Sequence, residues 1–291
     1  MAAPSAVRGP ERVLQCRGRE LAVGGSTRVV GILNTTPDSF YDGGRWTDPG
    51  AAELQARRMA AEGAAMVDVG GQSTRPGHEE VPADVEIARV RPVLERLAGD
   101  FPLPISIDTC KAAVARAAIE IGANLVNDVR GFQGDPEMAR AVAEQGCPAI
   151  LMHNDRLFPE TAGDLMDEMK RYFERSLEIA AAAGVPASRI VLDPGIGFHK
   201  TQRQNLEILS RLPELKSLGL PVLVGVSRKS VIGYVLGGTP EERLEGTLAA
   251  GVLAAWQGVE FVRVHDVAAN LRAIRMAEAI LSARSAPEKP V

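Results

Sequence analysis

The chain has 291 residues, of which 45% are apolar and 24% charged, and a net charge of −4 at pH 7. That composition suits one large globular core, and the acidic balance counts against nucleic acid or an anionic membrane as the main partner. No uninterrupted apolar run approaches the ~18 residues of a membrane span, and Met1 to Glu11 hold no apolar core of signal-peptide length.

In chain order, two short β-type stretches, 13–15 and 21–23, flank Arg17-Gly18-Arg19-Glu20 and predict a hairpin. Apolar runs then recur at 29–33, 66–69, 105–107, 125–127, 149–152, 190–192, 222–226 and 261–264. They are continuous rather than alternating, the pattern of parallel strands buried on both faces. Helical periodicity fills the segments between them. Arg57, Met59 and Gly63 are assigned to a helix leading into the second run. Asp135-Pro136 starts another helix and Gly146 stops it. Leu165, Met169, Tyr172, Phe173 and Leu177 share one face of a long helix, with Thr161 and Asp164 as its capping box and Gly184 with Pro186 at its end. The last helix runs from about 267 to 283.

Strand–helix alternation repeated eight times predicts an α/β fold: a (β/α)8 TIM barrel with an N-terminal β-hairpin placed to plug one end. A doubly wound open sheet is the alternative, because sequence does not report closure. The expected divisions are 1–28 for the N-terminal tail and capping hairpin, 29–283 for the barrel, and 284–291 for a disordered C-terminal tail. Cys16, Cys110 and Cys147 are odd in number and widely spaced, which suits reduced thiols in a cytoplasmic protein rather than disulfides or a zinc site.

The polar residues fall where the runs end. Asn34, Gly70-Gly71-Gln72, Asp108-Thr109, Asn127-Asp128, Met152-His153-Asn154, Asp193-Pro194-Gly195, Ser227-Arg228-Lys229 and Arg263-Val264-His265-Asp266 each follow or close a strand. Barrel active sites form at that face, and a convergent ring of Asn, Asp, Lys, Arg and His exceeds the polarity of ordinary loops. Asp108, Asn127 and Asp193 suit the planar donor/acceptor edge of a 2-amino-4-oxo ring. Arg75, Arg263, His265 and Asn34 suit an anion, and Lys229 suits a ring carbonyl or nitrogen. Asp128 and Asp266 read equally as helix caps, His153 as a structural histidine, Cys110 as a packing residue, and His78-Glu79-Glu80 as a solvated loop.

Five segments together resemble the signatures of the dihydropteroate synthase family. They are Ile32-Leu33-Asn34-Thr35-Thr36-Pro37-Asp38-Ser39-Phe40, Gly71-Gln72-Ser73-Thr74-Arg75-Pro76-Gly77, Asp193-Pro194-Gly195-Ile196-Gly197-Phe198, Ser227-Arg228-Lys229 and Arg263-Val264-His265-Asp266-Val267. They occur in order, with barrel spacing, between about residues 28 and 283. The resemblance implies joining of 6-hydroxymethyl-7,8-dihydropterin pyrophosphate to p-aminobenzoate in folate biosynthesis, by an SN1-like path with Mg²⁺. It further implies inhibition by sulfonamides and a homodimer through the last helices, near Trp256 and Leu271. Carried over by position, Asp108, Asn127, Asp193 and Lys229 would hold the pterin, with Val129 and Met152 packing against its ring. Asn34, Arg263 and His265 would bind pyrophosphate, with Asn34 also at the Mg²⁺. Thr74, Arg75, Pro76, Phe198, Ser227 and Lys229 would shape the p-aminobenzoate site, and Asp108, Asp193, Lys229 and Arg75 would carry the chemistry. The loops over roughly 35–47 and 71–81 would close over both substrates.

Three positions depart from the family pattern: His199 stands where Gly is frequent, Asn154-Asp155-Arg156-Leu157 replaces a Met-Gln-Gly-type run, and Gln72 replaces a frequent Glu. A methyltransferase-type pterin barrel would share Asp108, Asn127 and Asp193 but has no need of the Thr-Pro-Asp-Ser-Phe, Ser-Thr-Arg-Pro-Gly and Ser-Arg-Lys segments. A non-catalytic pterin-binding relative would be marked by loss of Lys229, which is present.

Overall fold

The computed structural model describes residues 11–35, 48–72, 80–160 and 163–283. Strands β1 (Arg12–Cys16) and β2 (Arg19–Val23) form the expected antiparallel hairpin. Its turn is left-handed at both Arg17 (φ 48°) and Gly18 (φ 79°), a backbone twist that matches that of the flanking strands.

Eight parallel strands follow, alternating with helices. They are β3 (Arg28–Asn34), β4 (Met66–Gly70), β5 (Ile105–Asp108), β6 (Leu125–Asp128), β7 (Ala149–Met152), β8 (Ile190–Asp193), β9 (Leu223–Val224) and β10 (Phe261–Val264). The ladder runs β8-β7-β6-β5-β4-β3-β10-β9. A parallel bridge between Leu192 and Val222, with the Leu192 amide donating to the Pro221 carbonyl at 2.9 Å, brings its two ends together. The sheet is therefore a barrel and not the open-sheet alternative. β9 is shorter than the 222–226 run because the chain leaves the ladder at Gly225, where a Cβ would stand 3.2 Å from the Arg263 Nε.

The helices are α1 (Pro49–Ala61), α2 (Ala83–Leu97), α3 (Ala112–Ile121), α4 (Met138–Gln145), α5 (Leu165–Ala183), α6 (Gln202–Ser210), α7 (Ser230–Leu236), α8 (Leu244–Trp256) and α9 (Val267–Ala283). Gly146 (φ 63°) and Gly184 (φ 88°) end α4 and α5 as expected. Three boundaries differ from the sequence reading. α1 stops before Gly63. α4 starts only at Met138, because the Asp135 carboxylate accepts from the Ala112 and Glu137 amides. Asp164 is itself the N-cap of α5, accepting from the Met166 and Asp167 amides, rather than the third position of a box; Thr161 lies outside the described residues, as do residues 284–291.

Two apolar clusters hold the fold together. One fills the layer between strands and helices. The other is inside the barrel, where Leu14, Cys16, Leu21 and Val23 of the hairpin pack on Val30, Met66, Leu125, Ile150, Val191, Leu223 and Phe261. The hairpin thus plugs the N-terminal end, and the polar strand ends at the opposite face stand over a closed floor.

β7 runs straight into His153, which is wholly buried among the rings of Phe158 and Tyr172 (both 4.5 Å between centroids) and Phe173 (6.1 Å). Among the described residues, neither ring nitrogen has a hydrogen-bond partner. Burial, reinforced by Lys200 and Arg175, holds the imidazole neutral far below its ordinary pKa of 6.5. As pH falls below about 6.5 the unfolded chain gains a proton there that the folded chain refuses, so stability declines toward acid. His153→Phe is expected to flatten the fall of Tm between about pH 7 and 5, measured by calorimetry. An unchanged slope would assign the acid sensitivity to other groups.

Candidate active site

The strand register aligns the predicted site residues. Asn34 pairs with Gly70, Gly70 with Asp108, and Asp108 with Asn127, while Met152 pairs with Asp193. Gly70 lies between them: a Cβ there would make ordinary contacts with Asp108 Oδ2 at 3.7 Å and Asn34 Oδ1 at 3.8 Å.

Below the rim lies a buried charge network. Arg263 Nη1 donates to Asp68 Oδ2 at 2.7 Å, and its Nη2 is 3.6 Å from Asp193 Oδ2. The same Asp68 oxygen accepts from Asn127 Nδ2 at 3.0 Å. Asp68, Asn127 and Asp193 are buried, as is the Arg263 head. Asp68 is the main site group that the sequence reading missed. Its signal in the sequence is a lone carboxylate inside the otherwise apolar Met66-Val67-Asp68-Val69, two residues before the strand end.

Burial first, and neighbouring charge second, shift the protonation of Asp108 and Lys229. Burial, then the Asp68 charge, pushes the Asp108 carboxyl up to about 8. Burial likewise pushes the Lys229 ammonium down to about 7, against the pull of Asp193. Burial also opposes the Arg263 charge, but Asp68, Asp193 and Asp108 outweigh it and keep it protonated. Among the described residues, four oxygens in this group, Asp68 Oδ1, Asp108 Oδ1, Asn127 Oδ1 and Asp193 Oδ2, are shut off from solvent with no donor within hydrogen-bond distance.

Lys229 extends from the start of α7, donates to the Ile196 carbonyl, and lies 4.7 Å from the Phe198 ring centroid. Ser227 Oγ is 3.0 Å from His265 Nδ1 and accepts from the His265 amide. Arg228 stands between Ser227 and Lys229 with a left-handed φ of 58°, a conformation costing on the order of 1 kcal/mol for a non-glycine residue. A forked pairing of its Nε and Nη2 with Asp266, at 2.7–3.0 Å, holds it there. The Asp266 carboxylate therefore pairs with Arg228, beyond the helix-cap reading of the sequence. Asp128 closes the turn after β6 by accepting from the Arg130 and Phe132 amides, well before α4 begins.

A cavity of about 490 Å³ opens at this face, lined among others by Asp108, Val129, Arg130, Phe198, His199 and Lys200. Its size suits a drug-sized ligand. Cys110 also lines it, half-buried, while Met152 is wholly buried beneath Gly195. Gln72 Oε1 accepts from the Val81 amide (3.1 Å) and from Lys111, whose ammonium also pairs with the buried Glu86. Thr74, Arg75, Pro76 and His78, with most of both expected closing loops (36–47 and 73–79), lie outside the described residues. Among the described residues no three His, Cys, Asp or Glu side chains gather as a metal cluster, and no helix is long and apolar enough to cross a membrane.

Comparison with known proteins bears on this geometry. The model of the pterin binding enzyme family matches residues 30–265. The dihydropteroate synthase of Clostridium beijerinckii is 46% identical over 90% of this chain and 97% of its own. The structure of Xanthomonas albilineans dihydropteroate synthase with 4-aminobenzoic acid is 42% identical with a TM-score of 0.88, covering 96% of this chain and 100% of that one. The same enzyme in complex with 7,8-dihydropteroate superposes with a TM-score of 0.85 at 41% identity, over 95% of this chain and 100% of that one. A family match across the barrel, and this identity over nearly the whole of both chains, mean that the chain belongs to the pterin-binding enzymes, among the dihydropteroate synthases.

Proposed function

We propose that the barrel mouth joins 6-hydroxymethyl-7,8-dihydropterin pyrophosphate to p-aminobenzoate, giving 7,8-dihydropteroate and pyrophosphate. The observation that carries this reading is the set of buried oxygens on Asp68, Asp108, Asn127 and Asp193 that have no donor among the described residues. Such acceptors are costly to bury unpaired, and a 2-amino-4-oxo dihydropterin presents matching N–H groups at its 2-amino nitrogen, N3 and N8. Lys229 supplies the donor for a ring carbonyl or nitrogen, and Val129 and Met152 pack on the ring.

In the reaction the methylene C–O bond breaks, pyrophosphate leaves with the electron pair, and positive charge spreads into the ring. Asp193, and Asp108 once its carboxyl has given up its proton, stabilise that cation, while Asn34, His265 and the N–H groups of Arg263 not committed to Asp68 stabilise the leaving anion. The arylamine nitrogen then bonds to the methylene carbon and loses a proton. An SN1-like order suits this weak nucleophile. Thr74, Arg75, Pro76, Phe198, Ser227 and Lys229 shape its site, and Arg75 assists the chemistry from the loop after β4.

Mg²⁺ fits this mouth as a companion of the substrate. Its protein ligand would be the Asn34 amide oxygen beside Asp108, in keeping with the habit of Mg²⁺ of taking few protein groups plus phosphate oxygens and water. When bound it would neutralise charge on the pyrophosphate. The three free cysteines suit work in a reducing cytoplasm. A homodimer is proposed through α8 and α9. There Leu253, Met276 and Ile280 are 60, 63 and 49% exposed, whereas Trp256 and Leu271 are half-buried.

Pyrophosphate release is expected to depend on p-aminobenzoate and to be inhibited competitively by sulfonamides; no such turnover from folded protein would end the synthase reading. Asp108→Asn should lower kcat/KM by about 10³-fold yet raise Tm at alkaline pH. In the wild type the unfolded chain loses the Asp108 proton from the ordinary value of 3.8 upward while the folded chain keeps it to about 8, so stability falls across that window. A variant with lower Tm at pH 9, or with near-normal activity, would contradict the assigned role. Leu253→Glu with Met276→Glu should yield a monomer in sedimentation equilibrium; an unchanged oligomeric state would place the interface elsewhere.

A further inference from the structure

The turn from Gly195 to His199 joins β8 to α6 and carries Phe198, and most of its carbonyls converge on two lysines. Lys200 Nζ donates to the carbonyls of Gly195 (3.0 Å), Phe198 (3.0 Å) and His153 (3.2 Å), while Lys229 Nζ takes the Ile196 carbonyl between them. Backbone geometry makes this convergence possible. The turn is left-handed at every second residue, Gly195 (φ 64°), Gly197 (φ 86°) and His199 (φ 42°). A Cβ at Gly195 would come 2.1 Å from the His153 carbonyl oxygen. Only glycine permits that approach, and it brings the end of β7 within reach of the ammonium that holds the turn.

The amides are fixed as well. Gly195 N donates to Asp193 Oδ1 and Gly197 N to Asn205 Oδ1, both at 2.8 Å, and Phe198 N donates to the Gly195 carbonyl at 3.1 Å. Phe198 is thus gripped at both its N–H, through Gly195, and its C=O, through Lys200.

Among the described residues the Lys200 ammonium makes its hydrogen bonds to carbonyls rather than to a carboxylate, with the Phe158 ring 5.3 Å away. Burying an ammonium without a carboxylate partner is costly. A neutral residue in its place would leave three carbonyls without their shared donor and the turn free to relax.

We propose that Lys200 is a positioning residue for the second substrate: its ammonium fixes the turn that presents the Phe198 ring to the p-aminobenzoate side of the cavity. This rests on the synthase reading above. Asp108 and Asn127, which serve the pterin, lie on β5 and β6 away from this turn, and of the pterin groups on the strands only Asp193 is bonded to it, through the Gly195 amide, so the larger effect falls on p-aminobenzoate. Displacing a substrate platform by about 1 Å can cost up to ~10²-fold in rate.

Pyrophosphate release by the full-length protein, with each substrate varied in turn, tests the proposal. Wild-type turnover that depends on p-aminobenzoate tests the synthase reading on its own, before any variant is made. Lys200→Met is then expected to raise the KM for p-aminobenzoate about tenfold, with the KM for the pterin pyrophosphate changing less than about threefold. Equal changes in both KM values, or unchanged values with only a lowered Tm, would overturn it. Should Lys200→Met fail to fold, Lys200→Gln, which keeps N–H donors without the charge, is judged by the same ratio.

Discussion

The Arg263 guanidinium lies buried under the barrel mouth, bonded to Asp68, near Asp193 and within the field of Asp108. Removing one member of such a buried group strands the others, at about 3–5 kcal/mol. Burial, and after it the charge of neighbouring carboxylates that Arg263 only partly offsets, explains why Asp108 keeps its proton to about 8. A site that holds donorless oxygens beside fixed cations is preorganised for a donor-rich ring carrying an anion. The destabilised empty state is the structural cost of that fit.

Around this floor the fold stores strain where loops must present side chains. Arg228 adopts a left-handed backbone between Ser227 and Lys229 and is held by Asp266. His199 does the same one residue after Phe198, with Lys200 and Lys229 gathering the carbonyls of the turn.

Much of the fold was legible because parallel strands buried on both faces read as continuous apolar runs, and all eight appear near their expected positions. The strand-end groups Asp108, Asn127, Asp193 and Lys229 were legible because each closes such a run or stands within three residues of its end. Asp68 was not: whether a mid-strand side chain faces the lumen or the helices depends on barrel closure. Lys200 escaped notice because one of its partners, the His153 carbonyl, lies 47 residues away on another strand end. Asp266 read as a helix cap because its partner, Arg228, is 38 residues distant.

By itself the sequence determined the order and kind of the elements, the hairpin, and which chemical groups stand at the barrel's mouth, since these follow from local periodicity and from residues next to strand ends. Only the tertiary structure decided which groups share a charge, which oxygens lack a donor, which carboxyl keeps its proton, and which apolar faces of the last helices stay exposed. Those properties depend on burial and on neighbours brought together from distant parts of the chain.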